Sequence, residues 1–372
     1  MHTSAFAPTP GHADSVLYAV QGHLGRVRLN RPRVVNALDQ AMLDSMLSQL
    51  RAWAQDEAVR AVFLDGAGER GLCAGGDVRA LREALASGRS EEAIRFWSTE
   101  YALNALVADY PKPYVAWMDG VVMGGGVGVS AHGSHRLVTE RSKVAMPETI
   151  IGFFPDVGVL WFLSRSPGEL GTHAALTGLP VDGADAVTLG LADVVVRSAD
   201  KDAVLDQLAD GLSGDDPTAP LGPAPTFRPA PTFRPVSSTQ EEAHPGVPEG
   251  LTGELARQRG WIDECYAGDD AVEILRRLRE HDDPEAAAAG AALAARSPHS
   301  VAITLEALRR AAQMDVGQVL EQDAVLGRSF AGHPDFAEGV RALLVDRDNA
   351  PRWVHAELAS VGRDEVLAAF GG

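Results

Sequence analysis

Apolar residues recur along this chain with two different periods, and the switching between them outlines the fold class. Residues 16–20 and 25–29 read as two strands around a turn at Gln21-Gly22-His23-Leu24. Asn30-Arg31-Pro32 interrupts the pattern. From Asp39 to Trp53 the apolar positions Met42, Leu43, Met46, Leu47 and Leu50 return every three or four residues, as on one face of a helix. Residues 59–64 form a short, continuous apolar run of the buried-strand type, and 65–76 a glycine-rich loop. Asp77 then stands where a helix over 78–85 needs its N-cap. A helix over 91–108, a strand over 114–118, a helix through His132 and a strand over 135–139 continue the alternation. It persists to about residue 196 and closes with a helix over 201–212. Alternation of this kind predicts an α/β core over 15–212.

Residues 213–250 differ. Ala-Pro-Thr-Phe-Arg-Pro occurs at 224–229 and again at 230–235. Proline at that density excludes helix and discourages a central strand, so a linker or insert is expected rather than a polyproline ligand for a partner. Beyond it, 269–278, 284–295, 300–313, 323–328 and 336–344 have helical spacing, and Ser300 is the expected cap of the third. Residues 251–372 are therefore expected to form a helical C-terminal region.

Charge narrows the partners. With 51 acidic residues against 33 Lys and Arg the net charge is −18, which excludes a general nucleic-acid binder. An anionic ligand requires a local basic cluster, and Arg26, Arg28, Arg31 and Arg33 supply one. The two cysteines, Cys73 and Cys265, lie far apart, which fits a reducing compartment. No apolar run has bilayer length. Residues 1–14 contain two prolines and no Lys or Arg, so they read as a loose tail rather than a secretory or transit signal, and a cytoplasmic location is expected.

Chemistry concentrates in two glycine clusters and the acids that follow them. Leu72-Cys-Ala-Gly-Gly-Asp77 is a small-residue loop entering a helix, which lets a ligand oxygen approach the backbone. Met123-Gly-Gly-Gly-Val-Gly128 sits between a strand and another helix start, where unpaired N–H groups favour an oxyanion. Glu148 and Asp156 come next, in the largely apolar Val144–Phe154 stretch and just after it; apolar surroundings raise a carboxyl's pKa toward the range useful for proton transfer. Rival constellations are weaker. Gly126-Val-Gly-Val-Ser-Ala131 fits a dinucleotide fingerprint without the long strand that should precede it. His132 and His135 lack the further ligands a metal needs, and Cys73 among small residues reads as buried filler rather than a thiol nucleophile. A tight packing turn remains the bland reading of each glycine cluster.

Asn30-Arg-Pro-Arg-Val-Val-Asn-Ala-Leu38, Cys73-Ala-Gly-Gly-Asp-Val-Arg-Ala-Leu81, Met123–Gly128 and Met146-Pro-Glu-Thr-Ile-Ile-Gly-Phe-Phe-Pro-Asp-Val-Gly158 resemble the enoyl-CoA hydratase/isomerase (crotonase) superfamily, and within it the 3-hydroxyisobutyryl-CoA hydrolase branch. Ser297–Thr304 and Phe336–Leu343 resemble the C-terminal part of that branch. The resemblance implies a spiral of repeated β-β-α units with a helical C-terminal region. It implies a CoA thioester whose carbonyl oxygen is held by the backbone N–H groups of Gly76 and Gly125, with Glu148 and Asp156 catalytic and Glu100 binding the acyl end. It implies no cofactor beyond the CoA of the substrate, no metal, and neither nucleic acid nor membrane as partner; a homo-oligomer stays open, and Arg31 or Arg33 would meet the CoA phosphates. Hydratases of the family carry a glutamate where this chain has Gly128, and Pro-Gly-x-Gly-Gly where it has Pro155-Asp-Val-Gly-Val159. The exchange favours hydrolysis of a 3-hydroxyacyl thioester, as in valine catabolism. The alternatives are water addition or isomerisation, and a non-catalytic acyl-CoA binder. Val159-Leu160-Trp161 depart from the branch and would narrow the pocket.

Overall fold

The computed structural model describes residues 5–9, 11, 13–212 and 253–371; the proline-rich repeat lies outside them. Strands β1 (Val16–Gln21) and β2 (Leu24–Leu29) form an antiparallel hairpin in which Gln21 faces Leu24. The turn is therefore Gly22-His23 alone, two residues shorter than expected, with Gly22 at φ +59°. From β2 the sheet runs parallel through β3 (Ala61–Gly66), β5 (Tyr114–Met118), β7 (His135–Thr139) and β9 (Val194–Val196). A second parallel sheet holds β4 (Gly71–Cys73), β6 (Val121–Met123) and β8 (Lys143–Ala145). Each pair β3–β4, β5–β6 and β7–β8 gives one strand to each sheet and then a helical element, which is the repeated β-β-α spiral.

The helices are α1 (Gln40–Gln55), α2 (Val78–Ala86), α3 (Ser90–Ala108), α4 (Gly125–Ala131), α5 (Val159–Leu163), α6 (Leu170–Thr177), α7 (Gly183–Thr188) and α8 (Lys201–Gly211) in the first described stretch. The second contributes α9 (Glu254–Tyr266), α10 (Ala271–Glu280), α11 (Pro284–Ala294), α12 (Pro298–Ala311), α13 (Val316–Ala331), α14 (Pro334–Val340) and α15 (Arg363–Ala368). Asp39 and Asp77 cap α1 and α2 by accepting from the N–H groups of Met42 and Ala80. The cap of α12 is Ser297, not Ser300. Ser297 Oγ accepts from Ser300 N at 3.1 Å and donates to buried Asp335 at 2.6 Å, and Pro298 then takes the first helical position, where it has no N–H to lose. The 323–328 segment belongs to the longer α13, and 336–344 divides into α14 and a π-turn at Arg341–Val345. Helices α5 to α7, α9 and α15 were not expected. Val-Leu-Trp-Phe-Leu of α5 is apolar on every side, so it carries no periodic signal.

Strand burial on both faces explains the continuous apolar runs. Phe63, Val115, Trp117 and Leu137 face Val204, Leu205 and Leu208 of α8. Alternate residues Val62, Leu64, Ala116, Met118 and Val138 face the main core, which continues through residues of both described stretches to Ala369. Three cations of the chain converge on buried Asp65: Arg28 donates to both its oxygens at 2.7 Å, Lys201 at the start of α8 lies 2.7 Å away and Arg26 3.6 Å. Two arginines of the expected anion cluster are thus engaged by Asp65 within the sheet, while Lys201 ties α8 to the same carboxylate. Arg31 is engaged by Asp77 at 3.1 Å, Asp39 at 3.4 Å and the Ala37 carbonyl, while Arg33 stays exposed.

Asn36 organises the loop that precedes the first glycine cluster. It is fully buried at φ +54°; its Oδ1 accepts from Arg31 N, and its Nδ2 faces the carbonyls of Ala67, Gly71 and Leu72 at 3.0–3.2 Å. Asn36→Ala strands those buried acceptors, so its urea-unfolding free energy is expected to fall by roughly 2–4 kcal/mol. A loss under about 0.5 kcal/mol would show that the loop holds without this amide.

Candidate active site

The two glycine loops meet at one place. Leu38 bonds the first from the side, through its N–H to the Gly75 carbonyl and its carbonyl to Asp77 N, both at 2.8 Å. That pairing leaves the Gly76 N–H without an acceptor among the described residues. The Gly125 N–H opens α4, in the turn where helices leave donors unpaired. Gly75 at φ +103° and Gly124 at φ +50° hold backbone conformations closed to ordinary side chains. A Cβ at Gly75 would sit 3.7 Å from Gly125 N, so the loops abut directly. A Cβ at Gly126 would strike the Cys73 backbone, which explains the glycine at that position of α4. Gly126 to Ala131 are helical, not a turn before a helix, so the dinucleotide reading is set aside.

Acids from three elements surround this junction. Glu100 comes from the buried face of α3, Glu148 opens a 3-10 turn (Glu148–Ile151), and Asp156 lies in the loop before α5. Glu148 Oε1 lies 2.7 Å from where a Gly124 Cβ would be, and Glu100 Oε1 overlaps the corresponding point at Gly125. All three are buried, at 3%, 7% and 5% exposure. Asp156 accepts a hydrogen bond from Tyr101 Oη at 2.8 Å. Glu100 Oε1 and Glu148 Oε2 have no partner among the described residues. Burial pushes both glutamates well above the usual carboxylate range, and the charge of Asp156 pushes them further. Burial lifts Asp156 to about 7, against the opposing hydrogen bond from Tyr101. Like charges packed this closely do not all ionise together. The arrangement brings two backbone N–H groups, one without an acceptor among the described residues and one at a helix start, beside three buried carboxyl groups.

Five residues singled out from sequence therefore lie together: Gly76, Gly125, Glu148, Asp156 and Glu100. Sequence reasoning missed two neighbours. Asn104 on α3 is fully buried with neither side-chain atom partnered among the described residues. Asp323 on α13 is fully buried and accepts from Gly158 N at 2.7 Å. A signal existed for Asp323, the only ionisable residue at the buried positions of α13. Val159 and Leu160 pack into the core as the start of α5.

The rivals have other work. The buried Cys73 thiol donates to the Asn36 carbonyl and is pushed up to about 12 by burial, which removes it as a thiolate nucleophile. His132, lowered to about 4 by burial, donates from Nε2 to the Val157 carbonyl at 2.7 Å. Another trio, His299, His333 and Glu365, has donor atoms within 4.8 Å of one another. The two rings stack at 3.7 Å and 3°, so their lone pairs run parallel rather than converging, and Glu365 already bonds His299 and His355.

Known proteins share this arrangement of chain. The enoyl-CoA hydratase/isomerase family model matches residues 24–370. The mitochondrial 3-hydroxyisobutyryl-CoA hydrolase of Danio rerio is 36% identical over 96% of this chain and 89% of its own. Small ribosomal subunit protein mS47 of Neurospora crassa is 34% identical over 96% of this chain and 71% of its own. A solved structure, a carnitinyl-CoA dehydratase from Mycobacterium thermoresistibile, superposes with a TM-score of 0.82 at 44% identity, covering 96% of both chains. The zebrafish relative is described as mitochondrial, so the cytoplasmic expectation finds no support there. Among the described residues no helix is long and apolar enough to cross a membrane.

Burial of Asp156 makes a pH prediction. Its pKa is raised in the fold from 3.8 to about 7, so its contribution to stability is complete below about pH 4 and is lost as pH rises through 7. Asp156→Asn removes that loss. Calorimetric Tm is expected to gain more from the substitution at pH 8 than at pH 5; an equal gain at both would contradict a buried, raised carboxyl.

Proposed function

The chain belongs to the enoyl-CoA hydratase/isomerase family, and on that basis we propose that it hydrolyses the CoA thioester of a short 3-hydroxy acid, with 3-hydroxyisobutyryl-CoA the leading substrate. The observation that supports the reading is the meeting of two glycine loops, with the Gly76 N–H lacking an acceptor among the described residues and the Gly125 N–H in the first turn of α4, beside three buried carboxyl groups. In this reading the thioester oxygen lies on Gly76 and Gly125 N–H, which match the charge that develops there on attack. Glu100 holds the acyl end.

In this reading Asp156, lifted by burial to about 7, is the member that carries charge as the site turns over, while burial and the charge of Asp156 hold Glu148 protonated. The Glu148 proton moves to Asp156. Carboxylate Glu148 then takes a proton from an attacking water, or itself adds to the carbonyl carbon; solvent oxygen-18 appearing in the enzyme after one turnover marks the second route. The tetrahedral oxyanion collapses, the C–S bond breaks, and Asp156 protonates the leaving sulfur; where Glu148 itself has added, this leaves an anhydride that water cleaves to the free acid and protonated Glu148. For the water route the sum is thioester plus water giving acid plus thiol, and Glu148 ends protonated with Asp156 charged, as at the start.

Water addition to an enoyl thioester is the second reading, favoured by the dehydratase among the solved structures. Against it, a side chain at 128 would meet Val157 Cβ at 2.7 Å and Asn104 Nδ2 at 2.9 Å, so the site has no room for the glutamate that hydratases carry there. The ribosomal relative keeps a non-catalytic role as the third outcome.

Thiol release from 3-hydroxyisobutyryl-CoA separates the three. Hydrolysis releases thiol; hydration only bleaches the enoyl absorbance of an unsaturated thioester; a binder does neither. Glu148→Gln is expected to cut kcat by about 10³-fold or more while the ester still binds. Near-normal turnover would remove Glu148 from the mechanism. Because the resting site needs Asp156 charged, kcat/KM is expected to fall as pH drops through about 7; a rate flat from pH 5 to 8 would rule out this division of protons.

A further inference from the structure

We propose that Asp323 is a positioning residue for Asp156: from α13 it clamps the Val157–Gly158 turn and so sets the aim of the Asp156 carboxyl. The kinetic part of the proposal rests on the hydrolase reading; the structural part does not.

Asp156 is followed by two consecutive left-handed residues, Val157 at φ +55° and Gly158 at φ +74°. Val157 is β-branched, for which that region is strained. Such a turn persists only if its surroundings over-determine it. Two buried groups do so. His132 Nε2 donates to the Val157 carbonyl at 2.7 Å, and Asp323 Oδ2 accepts from Gly158 N at 2.7 Å. The same two elements also pack closely on the turn, because a Cβ at Gly158 would lie 2.9 Å from the His132 ring and 3.1 Å from Leu320 of α13.

Packing alone does not account for Asp323. It sits fully buried on a face made of Val319, Leu320, Leu326 and Phe330, where an apolar side chain of like size would be cheaper to bury. Its carboxyl makes one hydrogen bond, and Oδ1 has no partner among the described residues. Burial, and next the charge of Asp156, hold Asp323 protonated while Asp156 is ionised. The group therefore acts as a neutral acceptor for one N–H, a task an amide oxygen can perform. Helix α13 also lies along α3, which carries Glu100 and the Tyr101 hydroxyl bonded to Asp156. Helix α13 thus reaches Asp156 by two routes, through the Gly158 amide held by Asp323 and through its packing beside the Tyr101 hydroxyl, from which a Cβ at Gly327 would lie 3.5 Å.

Full-length Asp323→Leu and Asp323→Asn test this against the parent, with circular dichroism and Tm as fold controls. The first readout is hydrogen exchange at the Gly158 amide. Leu is expected to speed it by about tenfold or more, and Asn to leave it slow. The second is thiol release, where Leu is expected to lower kcat by about a hundredfold with KM within about threefold, and Asn to retain at least a third of parental kcat. Unchanged exchange in the Leu variant, a Leu variant with near-parental kcat, or an Asn variant as impaired as Leu would each overturn the proposal. If Leu fails to fold, Asp323→Ala carries the same readouts, and the Asn expectations stand by themselves. A parent that releases no thiol sinks the hydrolase reading, and the exchange arm still decides whether Asp323 clamps the turn.

Discussion

Four carboxyl groups, Glu100, Glu148, Asp156 and Asp323, are buried together, and they cannot all be charged. Removing an ionised carboxyl from water is costly, and a second one nearby multiplies the cost. The fold accommodates them by keeping most of their protons. That condition puts a proton donor beside a proton acceptor at neutral pH, which acyl-transfer chemistry needs. It also requires a dry enclosure, because solvent would screen the coupling and return each group toward its ordinary pKa.

The enclosure comes from both described stretches of the chain. Trp97 of α3 stacks on Phe153 at 4.9 Å, and Phe153 contacts Phe330 of α13 and Phe336 of α14 at 5.2 and 5.4 Å. Ser297 N bonds the Thr149 carbonyl, linking the start of α12 to the turn that carries Glu148. Arg79 and Arg82 of α2 donate to the Leu344 and Ala337 carbonyls. The helices after residue 253 therefore help wall the acids in. The backbone donors face a different requirement, that of close approach, and the glycines at 75 and 124 with the Leu38 pairing meet it.

The local features were legible because their causes are local. Asp39 and Asp77 cap the helices that follow them, as their types and positions indicate. Strands β3 and β5 lie where continuous apolar runs lie, since both faces of each are covered. The cap of α12 was misplaced by three residues because Ser297 and Ser300 look alike to a rule that reads residue type; only the bond to buried Asp335 selects the first. The short helix α5 was invisible because enclosure on all sides erases amphipathic period.

Sequence by itself determined the α/β alternation, the two glycine loops and the acid pair Glu148 and Asp156, since spacing within a loop or a turn is set by the covalent chain. Glu100 could be named only through family resemblance; Asp323 left a faint trace as the one ionisable residue on the buried side of α13, and Asn104 left none. Their roles depend on which helix faces pack together, and Asp323 meets Gly158 across 165 residues. Burial likewise decided protonation: an isolated aspartate titrates near 3.8, and tertiary enclosure carries Asp156 to about 7. A chain's order specifies which groups exist, but desolvation and distance between remote segments decide which of them hold a proton.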